Sequence, residues 1–130
     1  MRNRSRMVVV VALLLASCSK SSVSSGPTNN RKHIEDVISH FKADGISVSG
    51  KSEKLAGIIG ASDGCGVDVG GSQFEIYQFD VDVPVQKNLI DKYEKEGLQG
   101  DPVIRNGSFI LLPNEKDPLW AKVAASFKSF

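Results

Sequence analysis

The sequence predicts an α+β domain: a small antiparallel sheet of four to five strands with helices packed on one face. Three observations carry this. Two segments read as β-hairpins, one turning at Gly70-Gly71 and one at Asn106-Gly107. Apolar residues around them recur at helical spacing. The resulting order is helix, strand, helix, hairpin, helix, hairpin, helix, which an antiparallel sheet with helices against it satisfies most economically. The other sheet face is then solvated or holds a partner.

The elements follow in chain order. Ile34, Val37, Ile38 and Phe41 fall at i, i+3, i+4 and i+7, one apolar stripe of a helix. Asn30 can cap its start, Glu35 and Asp36 suit its positive end, and Gly45 can end it. Ile46 and Val48 alternate with Ser47 and Ser49 as a short strand. Ser52 can cap a second, shorter helix carrying Leu55, Ile58 and Ile59, weakened by Gly57 and Gly60 at up to about 1 kcal/mol each. Cys65 to Asp82 reads as a hairpin, with Val67 and Val69 on one arm and Phe74 to Phe79 on the other. Pro84 suits the first turn of a third helix with the stripe Val85, Leu89 and Tyr93, ended by Gly97. Asn106-Gly107 predicts a type I′ turn pairing Val103–Arg105 with Ser108–Leu112. Asp117-Pro118 then opens a last helix that buries Trp120, Val123, Ala124 and Phe127. Helix-then-hairpin occurs twice, over about 53–82 and 84–112, without sequence identity between the copies.

The N-terminus follows different rules. Arg2, Arg4 and Arg6 form a basic start, and Met7 to Ala16 is an unbroken apolar run. Ten residues rise about 15 Å as a helix, half of the ~30 Å hydrocarbon core, so the run is too short to span a membrane. A basic start, a short apolar stretch and then small residues is the pattern of a secretion signal. The run ends in Leu15-Ala16-Ser17-Cys18. These four residues resemble the lipobox of bacterial lipoproteins. The resemblance implies that residues 1–17 are a signal peptide, that the Cys18 thiol is diacylated, that the chain is cleaved before Cys18, and that the new amine is then acylated. Each buried CH₂ contributes roughly 0.8 kcal/mol, so two or three chains anchor stably. Ser19, by the same resemblance, implies the outer membrane in a Gram-negative cell; in a Gram-positive cell the anchor stays on the outer leaflet of the plasma membrane.

Residues 18–30 are Ser-rich, contain Gly26-Pro27, and offer Val23 as their one large apolar residue, so they are expected to form a flexible tether. Residues 31–130 are expected to form a single domain. Leaving out the three arginines of the signal, thirteen basic side chains face fifteen acidic ones, a net charge near −2. That argues against a nucleic-acid partner, which needs a clustered basic surface. With Cys18 taken by lipid, Cys65 has no partner in the chain, and packing rather than a disulfide framework must hold the domain.

Within the domain, the residues Gly60-Ala61-x-Asp63-Gly64, Glu75-x-Tyr77-x-Phe79-Asp80 and Asn106-Gly107-x-Phe109-x-Leu111 precede a helix that ends in Phe. This pattern resembles small exported lipoproteins that are themselves uncharacterised. It implies a domain type and no activity.

The candidate chemistry is sparse. Cys65 could act as a nucleophile, a redox centre or an intermolecular disulfide partner. Its possible bases, His33 and His40, lie on the first helix; the plainer reading of Cys65 is a small cysteine buried among glycines. His33 and His40 are seven apart, two turns, whereas helical metal pairs usually sit four apart. Asp63-Gly64-Cys65-Gly66-Val67-Asp68 is similar to part of a glycine-rich calcium repeat but occurs once, and a turn into a strand explains it as well. Glu75 and Asp80 point to opposite strand faces and do not pair as acid and base; Asp82, like them, reads as solvated. Tyr77 and Phe79 share a strand face opposite Phe74 and Ile76. They form an interaction surface if that face is open, or a second core if helices cover it. The expectation is a membrane-anchored envelope lipoprotein whose domain is a binding or interaction module, with a cysteine-dependent enzyme or redox protein using Cys65 as the alternative. No cofactor, metal or small-molecule substrate is indicated. The partners implied are the membrane, through the anchor, and an envelope protein.

Overall fold

The structure, a computed structural model, describes residues 29–130. The expected signal peptide, the expected lipidation site Cys18, Ser19 and the expected tether as far as residue 28 lie outside the described residues. The chain forms helix α1 (Ile34–Ala43), strand β1 (Val48–Glu53), a 3₁₀ turn (Ala56–Ile59), strands β2 (Asp63–Val69) and β3 (Ser72–Gln78), helix α2 (Pro84–Glu96), strands β4 (Ile104–Asn106) and β5 (Phe109–Leu111), and helix α3 (Trp120–Ser129). The strands make one antiparallel sheet in the order β1-β2-β3-β5-β4. The α+β class and the five-stranded antiparallel sheet are those expected.

One sheet face carries Cys65, Val67, Val69, Phe74, Ile76, Phe109 and Leu111, all buried. Helices α1 and α3 cover it. The whole predicted stripe of α1 is buried, and α3 contributes Val123 and Phe127. Four fully buried phenylalanines, Phe41, Phe74, Phe109 and Phe127, dominate this layer, each stabilising by about 1.5–3 kcal/mol. The start of α1 differs from expectation. His33, not Asn30, is the N-cap; the Asp36 carboxylate accepts the His33 N–H at 2.8 Å, and the Asp36 N–H donates to the His33 carbonyl at 2.8 Å. Helix α3 also starts later than predicted. Asp117 caps the turn before it, accepting the Leu119 N–H on its side chain at 2.8 Å and the Trp120 N–H on its carbonyl at 3.0 Å. Trp120 is therefore at the rim of the layer, half-buried, with its ring stacked on Phe74 at 6.4 Å and 18°.

The helices do not all lie on that face. Tyr77 and Ile110 are cross-strand partners and point away from Ile76 and Leu111, which are partners on the first face. Left open they would be an apolar patch in water. Helix α2 and the 3₁₀ turn cover them, and Phe79, Ile90 and Ala56 complete a second core. The Tyr93 hydroxyl ties these two elements together by donating to the Ile59 carbonyl at 2.8 Å. Arg105 of β4 holds α2 from the sheet side, donating to Asp91 at 2.7 Å and Glu94 at 2.9 Å. Hydrogen bonds from Lys87 and Arg105 hold the Asp91 carboxyl below the usual carboxylate range. The stripe that α2 buries is Leu89, Ile90 and Tyr93; Val85 is exposed. Toward β1 the same face turns polar, with Gln73 donating to Ser52 at 3.3 Å and to Asp68 at 3.2 Å. Gly64 sits between these halves because a Cβ there would meet the Tyr77 ring at 2.7 Å.

The predicted second helix shrinks to one 3₁₀ turn. Strand β1 runs through Ser52, which therefore caps nothing, and Gly57 and Gly60 leave too little helical preference for the rest. The two hairpins divide. Gly70 and Gly71 take φ +56° and +85°, as their predicted turn requires. In the second hairpin Asn106 pairs with Phe109, so the two loop residues are Gly107 and Ser108, one position later than predicted. Only Gly107 of the pair has positive φ, +61°, which fits a II′ turn in place of I′. The shift moves the partner of Ile104 from Phe109 to Leu111, which keeps every side chain on its predicted face. Its cause is Asn29. That side chain accepts the Ser108 N–H at 2.7 Å and donates to the Asn106 carbonyl at 3.1 Å. Asn30 adds bonds to Asp80 at 3.1 Å and Asp82 at 3.0 Å, and accepts the Val81 N–H at 3.1 Å. Both asparagines belong to the domain rather than to a tether ending at residue 30.

Candidate functional site

The N-terminus of α1 overhangs β1 and β2 and leaves a cleft of about 210 Å³. His33, Ile34 and Glu35 form one wall; Lys51, Ser52 and Glu53 form the other; Asp63, Gly64 and Cys65 make the floor. Two of the sequence candidates, His33 and Cys65, thus meet in one place although they are 32 residues apart. The alternation of β2 explains the position of Cys65. It falls in phase with Val67 and Val69, on the face that α1 covers, and is only 8 % exposed.

The chemistry of this cleft is that of a protonated thiol. Burial pushes the Cys65 pKa up, and the positive charge of Lys51 offsets only part of this. Lys51 is itself paired with Glu35. The negative charges of Asp63 and Asp68 add to the upward shift and disfavour a thiolate. The Cys65 S–H points to the Gly66 carbonyl at 3.5 Å. A cysteine nucleophile needs the opposite setting, an electropositive one that lowers the pKa. We expect iodoacetamide at neutral pH to modify folded Cys65 at least tenfold more slowly than the urea-unfolded chain, because even an opening free energy of about 1.4 kcal/mol slows reaction tenfold. Equal rates in the two states, read by intact mass, would show an accessible, reactive thiol instead.

The other candidates have structural partners. His40 bonds the Ser129 hydroxyl at 2.9 Å and lies 3.3 Å from Asp44, with its ring edge-on to Phe130 at 5.6 Å. It joins α1 to the end of α3. Segment 63–68 is strand β2 itself, hydrogen-bonded on both sides, rather than a calcium-binding loop. Among the described residues no cluster of three or more His, Cys, Asp and Glu could hold a metal ion. Glu75 accepts the Tyr77 hydroxyl at 2.8 Å, and Asp80 and Asp82 hold Asn30. Tyr77 and Phe79 are not an interaction surface. They are 8 % and 0 % exposed, and burial together with the Glu75 hydrogen bond pushes the Tyr77 pKa up to about 12. The physical reason is the cover provided by α2.

No family model, curated protein or solved structure matches the chain.

The large apolar residues that remain exposed among those described are Leu55, Ile58, Val83 and Val85. Sequence reasoning placed Leu55, Ile58 and Val85 on buried helix stripes and passed over Val83. The available signal was the pair Gly57 and Gly60, which denies Leu55 and Ile58 a helix in which to turn inward.

Proposed function

We propose that this chain is the precursor of a lipid-anchored protein of the bacterial cell envelope, and that its domain is a binding module rather than an enzyme. The observation that carries the reading is Leu15-Ala16-Ser17-Cys18 placed directly after a basic start and a ten-residue apolar run. Cys18 is the lipidation site. Ser19 directs the protein to the outer membrane if the cell has one, and otherwise the anchor holds it on the outer leaflet of the plasma membrane. The partner is an envelope protein. The cleft chemistry supports the non-enzymatic half of this reading, since burial raises the pKa of Cys65 and disfavours its thiolate.

The test is metabolic labelling with a clickable fatty acid. The parent chain should be labelled and cleaved before Cys18, and Cys18→Ala should lose the label and accumulate as an uncleaved or soluble form. Undiminished labelling of the variant would remove the lipobox reading and the localisation with it.

A further inference from the structure

Leu55, Ile58 and Val85 are 77 %, 76 % and 67 % exposed, and Val83 is 39 % exposed. We propose that these four residues form the face by which the domain rests on the lipid bilayer. The proposal builds on the lipid anchor at Cys18.

Each of the four is a near chain neighbour of the second core. Leu55 precedes Ala56, Ile58 precedes Ile59, Val83 follows Val81 by two residues, and Val85 lies one turn before Leu89; Ala56, Ile59, Val81 and Leu89 all belong to that core or pack against it. The 3₁₀ turn and α2 are joined there by the Tyr93 bond to Ile59, and the side chain of Leu89 occupies the space where a Cβ on Gly60 would lie. The chain enters the domain at the same corner. Asn30 is fastened to Asp80 and Asp82, immediately before Val83. On the 3₁₀ side, Ser62 donates to the Gln78 carbonyl at 2.8 Å, and the Gln78 side chain donates to the Lys32 carbonyl at 2.6 Å.

Chain length then selects the occupant. Eleven residue-to-residue steps lead from Cys18 to Asn29, which at most 3.6 Å each reach no farther than about 40 Å. A domain of this size has a radius of gyration of about 13 Å. The entry corner, and the apolar rim beside it, are thus kept within about 40 Å of the headgroups, roughly three radii of gyration. Four aliphatic side chains fall well short of the roughly 800 Å² per partner of a stable protein interface. A tethered surface needs much less intrinsic affinity, because the anchor already supplies a high effective concentration. Asp80 and Asp82 at the same corner give anionic lipid no advantage, so the contact is apolar and a zwitterionic bilayer suffices.

The experiment uses the chain from Cys18 onward with Cys65→Ala. It is coupled through the Cys18 thiol to maleimide-bearing lipid in phosphatidylcholine nanodiscs that contain gadolinium-headgroup lipid. Chemical coupling makes the result independent of lipobox processing, so failure here and failure of fatty-acid labelling are separate outcomes. Methyl NMR signals of Leu55, Ile58, Val83 and Val85 should broaden several-fold more than those of Ala121 and Ala125, which are exposed on α3 across the sheet. A triple variant, Leu55→Ser with Ile58→Ser and Val85→Ser, should keep the parent's spectrum in solution and broaden evenly on the disc. Three results overturn the proposal: even broadening in the parent, strongest broadening at Ala121 and Ala125, or selective broadening that survives in the triple variant. Sedimentation of the uncoupled domain as a dimer that the triple variant abolishes also overturns it, assigning the face to a second copy.

Discussion

Replacing Phe79 with Ala should lower the melting temperature by more than ten degrees. Phe79 is fully buried, packs its ring against Tyr93 at 5.9 Å, and belongs to the small core under α2. Truncating a core Phe to Ala typically costs about 3–5 kcal/mol, through lost burial and the cavity left behind. A domain of this size has about 5–15 kcal/mol in all and loses about 4–8 °C per kcal/mol. The second core is the smaller of the two, so few neighbouring side chains can collapse into the space. The backbone N–H of Phe79 donates to the Ser108 carbonyl at 2.8 Å and survives the substitution, so the loss reports packing alone. Thermal melts followed by circular dichroism decide the matter. A shift under two degrees would mean that α2 does not cover this face in solution.

Asn29→Ala should cost about 2–4 kcal/mol although it removes no core atom. Its Oδ1 is the acceptor for the buried Ser108 N–H, and its Nδ2 donates to both the carbonyl and the side chain of Asn106. Leaving a buried donor unpaired costs about 1–3 kcal/mol, and the lost bond to the Asn106 carbonyl adds about 1 kcal/mol. Asn29→Asp keeps the acceptor and loses the donor, so it should fall between parent and Ala. Urea titration at constant m-value measures the order, and amide exchange at Ser108 should accelerate in both variants. A midpoint unchanged in Asn29→Ala would show that water replaces the side chain without penalty.

Several signals that were local in the chain read correctly. The stripe of α1, the Gly70-Gly71 turn and the opposite orientations of Ile76 and Tyr77 follow from periods of 3.6 and 2 alone. What failed was long-range. Val85-Leu89-Tyr93 and Leu89-Ile90-Tyr93 are both acceptable helical stripes, and only the position of the sheet chooses between them. The register of the second hairpin depends on Asn29, 77 residues from Asn106, against the strongest local turn signal in the sequence. The burial of Cys65 was present in its phase with Val67 and Val69, while its meeting with His33 was not, because nothing in either segment encodes how α1 lies across β2.

The asparagine clasp has a consequence for the order in which the domain is completed. The β2–β3 hairpin closes a loop of two residues and can form as soon as its own segment is free. Asn29 finds its partners only at residues 106 and 108, and α1 meets α3 later still, through Asp44 and Ser126, 82 positions apart. Contacts that span most of the chain bear their loop-closure entropy before they return any stabilisation, and they form late. When the chain is made or threaded N-terminus first, the side chain of Asn29 therefore stays unfastened until nearly the last strand has emerged. The junction that joins residue 29 to the rest is finished near the end of folding, so a truncation that removes the second hairpin would unfasten the beginning of the domain as well as its end.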